Sequence, residues 1–363
     1  MWQDFLEKHG RDSVSYELYR SVFSSENISF AQPSQDDCEI CVAFNQHAKD
    51  SLPEHDGDSC VMCVEAKKHL ERARKARHEY QKPADIGKAY AADMQKIILL
   101  PKLTVKQHFF VSRLVVFNET FACLNADEPD FAVLWHEGLN GRDASAVASA
   151  YVKCLELSES MHVTFWADNC SSQNKNWTLF TALCLCVNSD WGPSEVTMKY
   201  LEKGHTYMKA DSVHACIGKK LKKQSEVFTF PDFVSLVDCA SKSVKSVVLE
   251  ISDFYEFKPE NRIRKSKHAT LPLLSTVCTA KFRKGSRFLF YKTDYEDEEY
   301  SEVDFLKPRF METSFPPTKC SPRGIKPTKK EGILKLLNDA PNAKKKFGWN
   351  CQPMINLLIW YPV

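Results

Sequence analysis

The apolar and polar positions alternate in blocks that change period along the chain. "FFVSRLVVFNETFACL" (109–124) is long and rich in β-branched and aromatic residues, which predicts a strand. "AADMQKIILL" (91–100) before it predicts a shorter strand stopped by Pro101. "DFAVLWHEG" (130–138) predicts a third strand that ends at a glycine, and the preceding "NAD" with Pro129 predicts a hairpin between the last two. The period then becomes helical over "RDASAVASAYVKCLELSES" (142–160), with small residues along one side. "HVTFWAD" (162–168) is a strand, "NWTLFTALCLCVN" (176–188) a helix apolar all round, and "EVTMKYLE" (195–202) a strand. "GHTYMKADSVHACIGKKLKKQ" (204–224) is a turn running into a helix. Beyond residue 225 the pattern weakens. It predicts strands over 246–257, 275–282 and 287–295, the last two a hairpin around Lys284-Gly285. It also predicts a helix over 327–339, opened by a capping box from Thr328 to Glu331. The apolar end of the chain, 351–363, either packs on the body or is loose, and there is no internal repeat.

Three strands followed by alternating helices and strands, β-β-β-α-β-α-β-α, predict an α/β fold with a mixed sheet covered on both faces. This is the element order of the ribonuclease H fold. The expected organisation is a small zinc-binding module with a charged helix over 1–83, a ribonuclease H-like core over 84–225, and an α/β extension with a basic tail over 226–363.

Composition narrows the class without naming a partner. The chain has 363 residues, 43% hydrophobic and 26% charged, with a net charge of +2. The charge is uneven: seven Lys/Arg against three acids over Glu65–Lys82, nine against two over Lys319–Lys346, and seven acids with no base over Asp294–Asp304. The two basic segments fit an acidic polymer such as DNA; solvated helix faces explain them equally well. No apolar run approaches the ~20 residues of a membrane span, and the N-terminus lacks a signal-peptide core. The expected location is nuclear or cytoplasmic, so the 14 Cys are read as metal ligands or free thiols rather than disulfides.

The sharpest local chemistry is "CEIC" at 38–41 and "CVMC" at 60–63, two C-x2-C pairs separated by 18 residues. Each tight turn aims two sulfurs at one ion, and two turns close a tetrahedron. Cys38, Cys41, Cys60 and Cys63 are the expected Zn²⁺ ligands, with His69 as an alternative and His47 and His55 nearby. Four protein ligands leave no open position, so such a zinc is structural. "EAKKHLERARKARHEYQK" after Cys63 has no Gly or Pro and predicts a charged helix.

Acids at strand ends supply the second chemistry. Phosphodiester cleavage commonly uses divalent ions held by a few carboxylates, and Mg²⁺ prefers hard oxygen ligands. In a ribonuclease H-like sheet the acids belong on strand one, at the end of strand four and on the last helix. Those places hold Asp93, Asp168 and Asp211, with Glu137 at the end of strand three as a fourth. Each taken singly reads as an exposed strand-end acid or a helix cap, and Asp211 precedes Ser212 and a helical run. His205 and His214 fall within ten residues of Asp211 and are auxiliary candidates, as is Asn169.

"DMQK", "VFNETF", "LWHEG…GRDASAVASA", "ADNCSSQNKN" and "KGHTYMKADSVHACI" resemble, in this order, a family of eukaryotic transposon-derived proteins that share a domain of the DUF7869 type. The resemblance spans roughly residues 20 to 350. It implies a fold of the transposase/integrase branch of ribonuclease H-like proteins and Mg²⁺ or Mn²⁺ chemistry on DNA. It assigns Asp93, Asp168 and Asp211 to the metals, and the Asn and Gln after Asp168 to positioning the loop. Transposases often act as multimers, so a homo-oligomer is a further expectation. Relatives tend to carry an acid just after "HxxI", where this chain has Gly218. The third ligand is therefore either Asp211 or an acid this chain has lost. The chain also begins almost at the zinc region, which suggests a truncated or domesticated copy. Two functions stay open: a transposase-derived, metal-dependent nuclease or strand-transferase, and a non-catalytic nuclear scaffold that binds DNA or protein.

Overall fold

In the computed structural model the described residues are 5–6, 9–10, 14–25, 38–50, 56–83, 86–104, 110–257, 271–307, 315–340 and 342. His55 and the apolar end 351–363 lie outside them. The chain divides into two compact units, Met1–Ala66 and Lys67–Val363. The first contains helices α1 (Tyr16–Ser25) and α2 (Glu39–Asp50) and the opening turns of α3 (Val61–Gln81). The charged helix expected after Cys63 is therefore helical from Val61 to Gln81.

The second unit is built on one ten-stranded mixed sheet. Its central strands are β1 (Lys88–Met94), β3 (Leu114–Cys123), β4 (Asp130–His136), β5 (His162–Ala167) and β6 (Glu195–Tyr200), and β2 (Ile98–Leu100) pairs with β3. The expected strand over 91–100 is thus two strands. β1 is antiparallel to β3, with Ala91 opposite Ala122, and parallel to β5, with Ala92 opposite Ala167. β3 and β4 are antiparallel, and β5 and β6 parallel. The sheet continues past β4 into β7 (Val244–Val248), and past β6 into β8 (Thr279–Arg283), β9 (Phe288–Lys292) and β10 (Ser301–Asp304). Residues beyond 225 thus add strands to both edges of the same sheet.

Helices cover both faces, and local sequence explains where they start. α4 (Ala144–Ser158) begins at Asp143, whose side chain accepts from the Ala146 backbone N–H at 2.8 Å. α5 (Trp177–Val187) begins at Asn176, which accepts from Leu179 N–H at 2.9 Å. Both pack on one face with Tyr90, Phe121, Tyr151 and Phe165. α3, α6 (Lys209–Lys223), α7 (Phe230–Asp238) and α8 (Pro327–Asp339) supply Ala76, Ile217, Phe233 and Leu337 to the apolar cluster on the other. The expected capping box at Thr328 does not open α8. The helix starts one residue earlier, at Pro327, whose fixed φ and missing N–H suit the first helical position. Among the described residues no helix is long and apolar enough to cross a membrane.

Candidate metal centre

β1 and β5 are parallel neighbours, so their carboxyl ends lie side by side. With Ala92 opposite Ala167, the next residues out are Asp93 and Asp168. Ligand sites of open α/β sheets collect at such strand ends. The first turn of α6 brings Asp211, and the next turn His214. The ligand atoms of Asp93, Asp211 and His214 all lie within 4.8 Å of one another, a set that could hold a metal ion. His214 Nδ1 is 3.6 Å from Asp93 Oδ2.

Crowding raises the cost of charge here. The Asp93 carboxyl is pushed up to about 7, first by burial and then by the negative charges of Asp168 and Asp211. Burial likewise pulls the His214 imidazole down to about 4, so at neutral pH it is uncharged. His214 Nε2 is buried and has no hydrogen-bond partner among the described residues. Asp211 also closes the start of α6 as a cap would: one carboxylate oxygen accepts from the Met208 backbone N–H at 2.8 Å.

Asp168 is held by its own loop. Its Oδ1 accepts from Asn174 Nδ2 at 2.7 Å and from the Cys170 backbone N–H at 3.1 Å. Asn174 is itself pinned, accepting from Tyr151 Oη at 2.9 Å through its side chain and from Tyr200 Oη at 2.8 Å through its backbone. Asn169 turns the other way: its Nδ2 donates to Leu201 O and its Oδ1 accepts from Lys175 Nζ, both at 2.5 Å.

One acid of this neighbourhood escaped the sequence reading. Glu119 sits in the middle of β3, opposite Met94 and thus one residue from Asp93 across the pair. It is 0% exposed, and neither carboxylate oxygen has a partner among the described residues. Burial drives its pKa well above the usual range, and Asp93 and Asp168 push the same way. The signal was available: Asn118-Glu119-Thr120 is a polar triplet inside an otherwise apolar strand, and all three are buried. A buried carboxyl without partners is costly unless protonated or met by a cation. By the strand pleat Glu119 shares the face of Met94, opposite to that of Asp93, and it is not among the described residues whose ligand atoms converge with those of Asp93.

The other expected residues lie elsewhere. Glu137 accepts from the Val115 backbone N–H at 2.8 Å and is paired with Lys329. His205 lies tilted against His69, ring centroids 5.1 Å apart, and burial and the His69 charge lower its pKa. His69 is buried and its Nδ1 is 3.0 Å from Glu202 Oε1. In the first unit, Cys60 and Cys63 converge with His47 within 4.8 Å, and Cys60 Sγ is 3.4 Å from His47 Nε2. Backbone and side-chain hydrogen bonds around Cys63 lower the Cys60 pKa, which favours the thiolate a metal needs. Cys38 and Cys41 lie against each other at the start of α2, outside that trio. Cys/His clusters of this kind could hold a metal such as zinc.

A family model, Domain of unknown function (DUF7869), matches residues 151–288. The matched segment contains Asp168, Asp211 and His214; Asp93 and Glu119 lie before it. No curated protein matches the chain. No solved structure matches it either.

Proposed function

We propose that this chain carries out metal-dependent cleavage or strand transfer of phosphodiesters in DNA, on a ribonuclease H-like core of transposon origin. The observation that carries the reading is the convergence of Asp93, Asp211 and His214, with Asp168 next to Asp93 where β1 and β5 end. The fold part is supported by the strand order β4-β3-β1-β5-β6, with its first three strands antiparallel and its last three parallel. The nuclear setting follows from DNA as substrate.

Asp93, Asp211 and His214 would hold one Mg²⁺ or Mn²⁺, and Asp168 would flank it. When bound, such an ion supplies activation of an attacking hydroxyl and neutralises charge on the phosphoryl oxygens. The protein residues do the rest. Asn174 fixes the carboxylate of Asp168 through a side chain held by Tyr151, so the acid keeps its orientation without a ligand. His214, held low by burial, is neutral at neutral pH. Asp93 has to lose its proton before it can ligate, which ties metal loading to pH near 7. A structural zinc held by Cys60, Cys63 and His47, with Cys38 and Cys41 nearby in sequence, is the second part of the proposal.

The test is nicking of supercoiled plasmid in Mg²⁺ and in Mn²⁺ by wild type and Asp168→Asn. Metal-dependent nicking that falls at least ~100-fold in the variant supports the proposal, since even second-shell losses cost up to that factor. A folded wild type that nicks in neither metal contradicts it and favours the binding scaffold.

A further inference from the structure

Beside the acid cluster, on the other side of the Asp168 loop, lies a cavity of about 550 Å³. Its lining includes four cations, Arg72, Lys75, Lys175 and Lys203, against two carboxylates, Glu202 and Asp294. Arg72 is paired with Glu202 at 3.0 Å, and Lys75 with Asp294 at 3.1 Å. Lys175 differs. It is 4% exposed, yet its ammonium reaches no carboxylate at ion-pair distance among the described residues. Its partners are neutral: Asn169 Oδ1 at 2.5 Å, Ser275 O at 3.4 Å, and the face of the Tyr200 ring at 4.6 Å. Burial pulls its pKa down to about 8, so at neutral pH it keeps its proton, and the Glu202 charge that acts on it is shared with Arg72.

The two carboxylates of the lining are already taken by Arg72 and Lys75, so a buried lysine facing this cavity gains from any anion that enters it. The loop ties this cation to the acids. Asn174 holds Asp168, and the next residue, Lys175, turns into the cavity, with Asn169 bridging back beside Asp168. One rigid loop thus presents a carboxylate on one side and an ammonium on the other. The cavity has the volume of a small-ligand site and cannot admit a duplex. Tyr200 and Tyr295 line it, and aromatic walls suit a sugar or base.

We infer that this cavity is a phosphate subsite that receives one nucleotide unit, with Lys175 as its central cation. The inference rests on the nucleic-acid reading above and names where a strand's neighbouring phosphate sits relative to the acids. The shared chemistry is a phosphate oxyanion, carried either by a single strand or by a free nucleotide.

The test is fluorescence binding of a labelled dT20 strand, with dTMP as competitor, to the full chain in EDTA over a range of KCl concentrations. The wild type is compared with Lys175→Gln, whose fold is checked by its thermal melt. The expected result is at least about tenfold weaker binding in Lys175→Gln, because a hydrogen bond to a charged group is lost. The slope of log affinity against log salt should also fall by about 0.7, the value for one phosphate contact on a single strand. A merely structural lysine would not move that slope. Thr276→Glu places a negative charge at an exposed position of the lining and leaves Lys175 intact, so it should weaken binding even if Lys175→Gln fails to fold. Competition by dTMP that depends on Lys175 would make the free nucleotide the source of the phosphate; strand binding without it would make the source the polymer. Wild-type protein that binds neither probe, or folded variants with unchanged affinity and slope, overturn the inference. Because no metal or cleavage is involved, a Lys175-dependent binding signal stands even if Asp168 variants show the chain to be no nuclease.

Discussion

Asp93→Asn should make the metal-free protein more stable above neutral pH. The Asp93 side chain is 24% exposed and its carboxyl is pushed up to about 7 from an ordinary 3.8, by burial and by the Asp168 and Asp211 charges. The unfolded chain loses this proton near pH 4 and the folded chain near pH 7. Folding therefore takes up a proton between those values, and stability falls as pH rises through that window. Below pH 4 both states are protonated and there is no penalty. Above pH 7 the penalty is complete: a gap of about three pH units at ~1.4 kcal/mol each is ~4 kcal/mol. Partial exposure and relaxation reduce it, so the expected gain for the neutral amide at pH 8 is about 2–4 kcal/mol, vanishing near pH 4. The assay is urea unfolding in EDTA at pH 4, 6 and 8 for both proteins. A variant no more stable than wild type at pH 8, or equally stabilised at pH 4, would refute the idea that like-charge crowding shapes this site.

Four further outcomes follow from the same geometry. Glu119→Gln should also stabilise the metal-free protein at pH 8, because an amide needs no proton, and its melting curve should lose part of the wild-type pH dependence. Asn174→Ala should cost about 1–3 kcal/mol in urea unfolding, since the buried Tyr151 hydroxyl loses its acceptor, and should lower nicking by releasing Asp168. Gly218→Glu should be tolerated, because a side chain there meets open space, and should add up to about 1 kcal/mol of helix stability. That acid, one turn beyond His214, should also tighten Mn²⁺ binding; weaker binding would argue that Asp211 already completes the set. Zinc measured by atomic absorption should fall in Cys60→Ser and Cys63→Ser, and unchanged zinc content would remove the His47–Cys60–Cys63 trio as a site.

Much of the central sheet was readable because its strands carry a period and its helices carry caps. The order of β1, β3, β4, α4, β5, α5, β6 and α6 follows from apolar runs broken by Pro129, Asp143 and Asn176. Other elements hid for physical reasons. β10 lies within an acidic stretch that reads as a loop; as an edge strand it tolerates charge, and Asp304 is held by Arg287 at 2.7 Å. α7 is short, yet Thr229, Asp232 and an early proline spell a capping box that could have marked it. Asp93, Asp211 and His214, whose ligand atoms the fold brings together, could be named as candidates because strand ends and a helix start are local features. Lys175 could not, because its significance lies in missing partners, and Glu119 showed only as part of a polar triplet inside an apolar strand. Sequence gives no sign that both Glu119 oxygens lack a donor, or that Lys175 meets only neutral acceptors. Glu137 read as a strand-end acid, and only the fold reveals that Lys329 returns from α8 to pair with it.

The claim that the acids form a divalent-ion centre is tested most directly by titrating the metal-free protein with Mn²⁺ at pH 6 and pH 8, following free Mn²⁺ by electron paramagnetic resonance. The account predicts saturable binding to wild type that is tighter at pH 8, as Asp93 gives up its proton, and that is weakened in Asp93→Asn, Asp168→Asn and His214→Ala. Binding that is absent, independent of pH, or untouched by these three substitutions would contradict it.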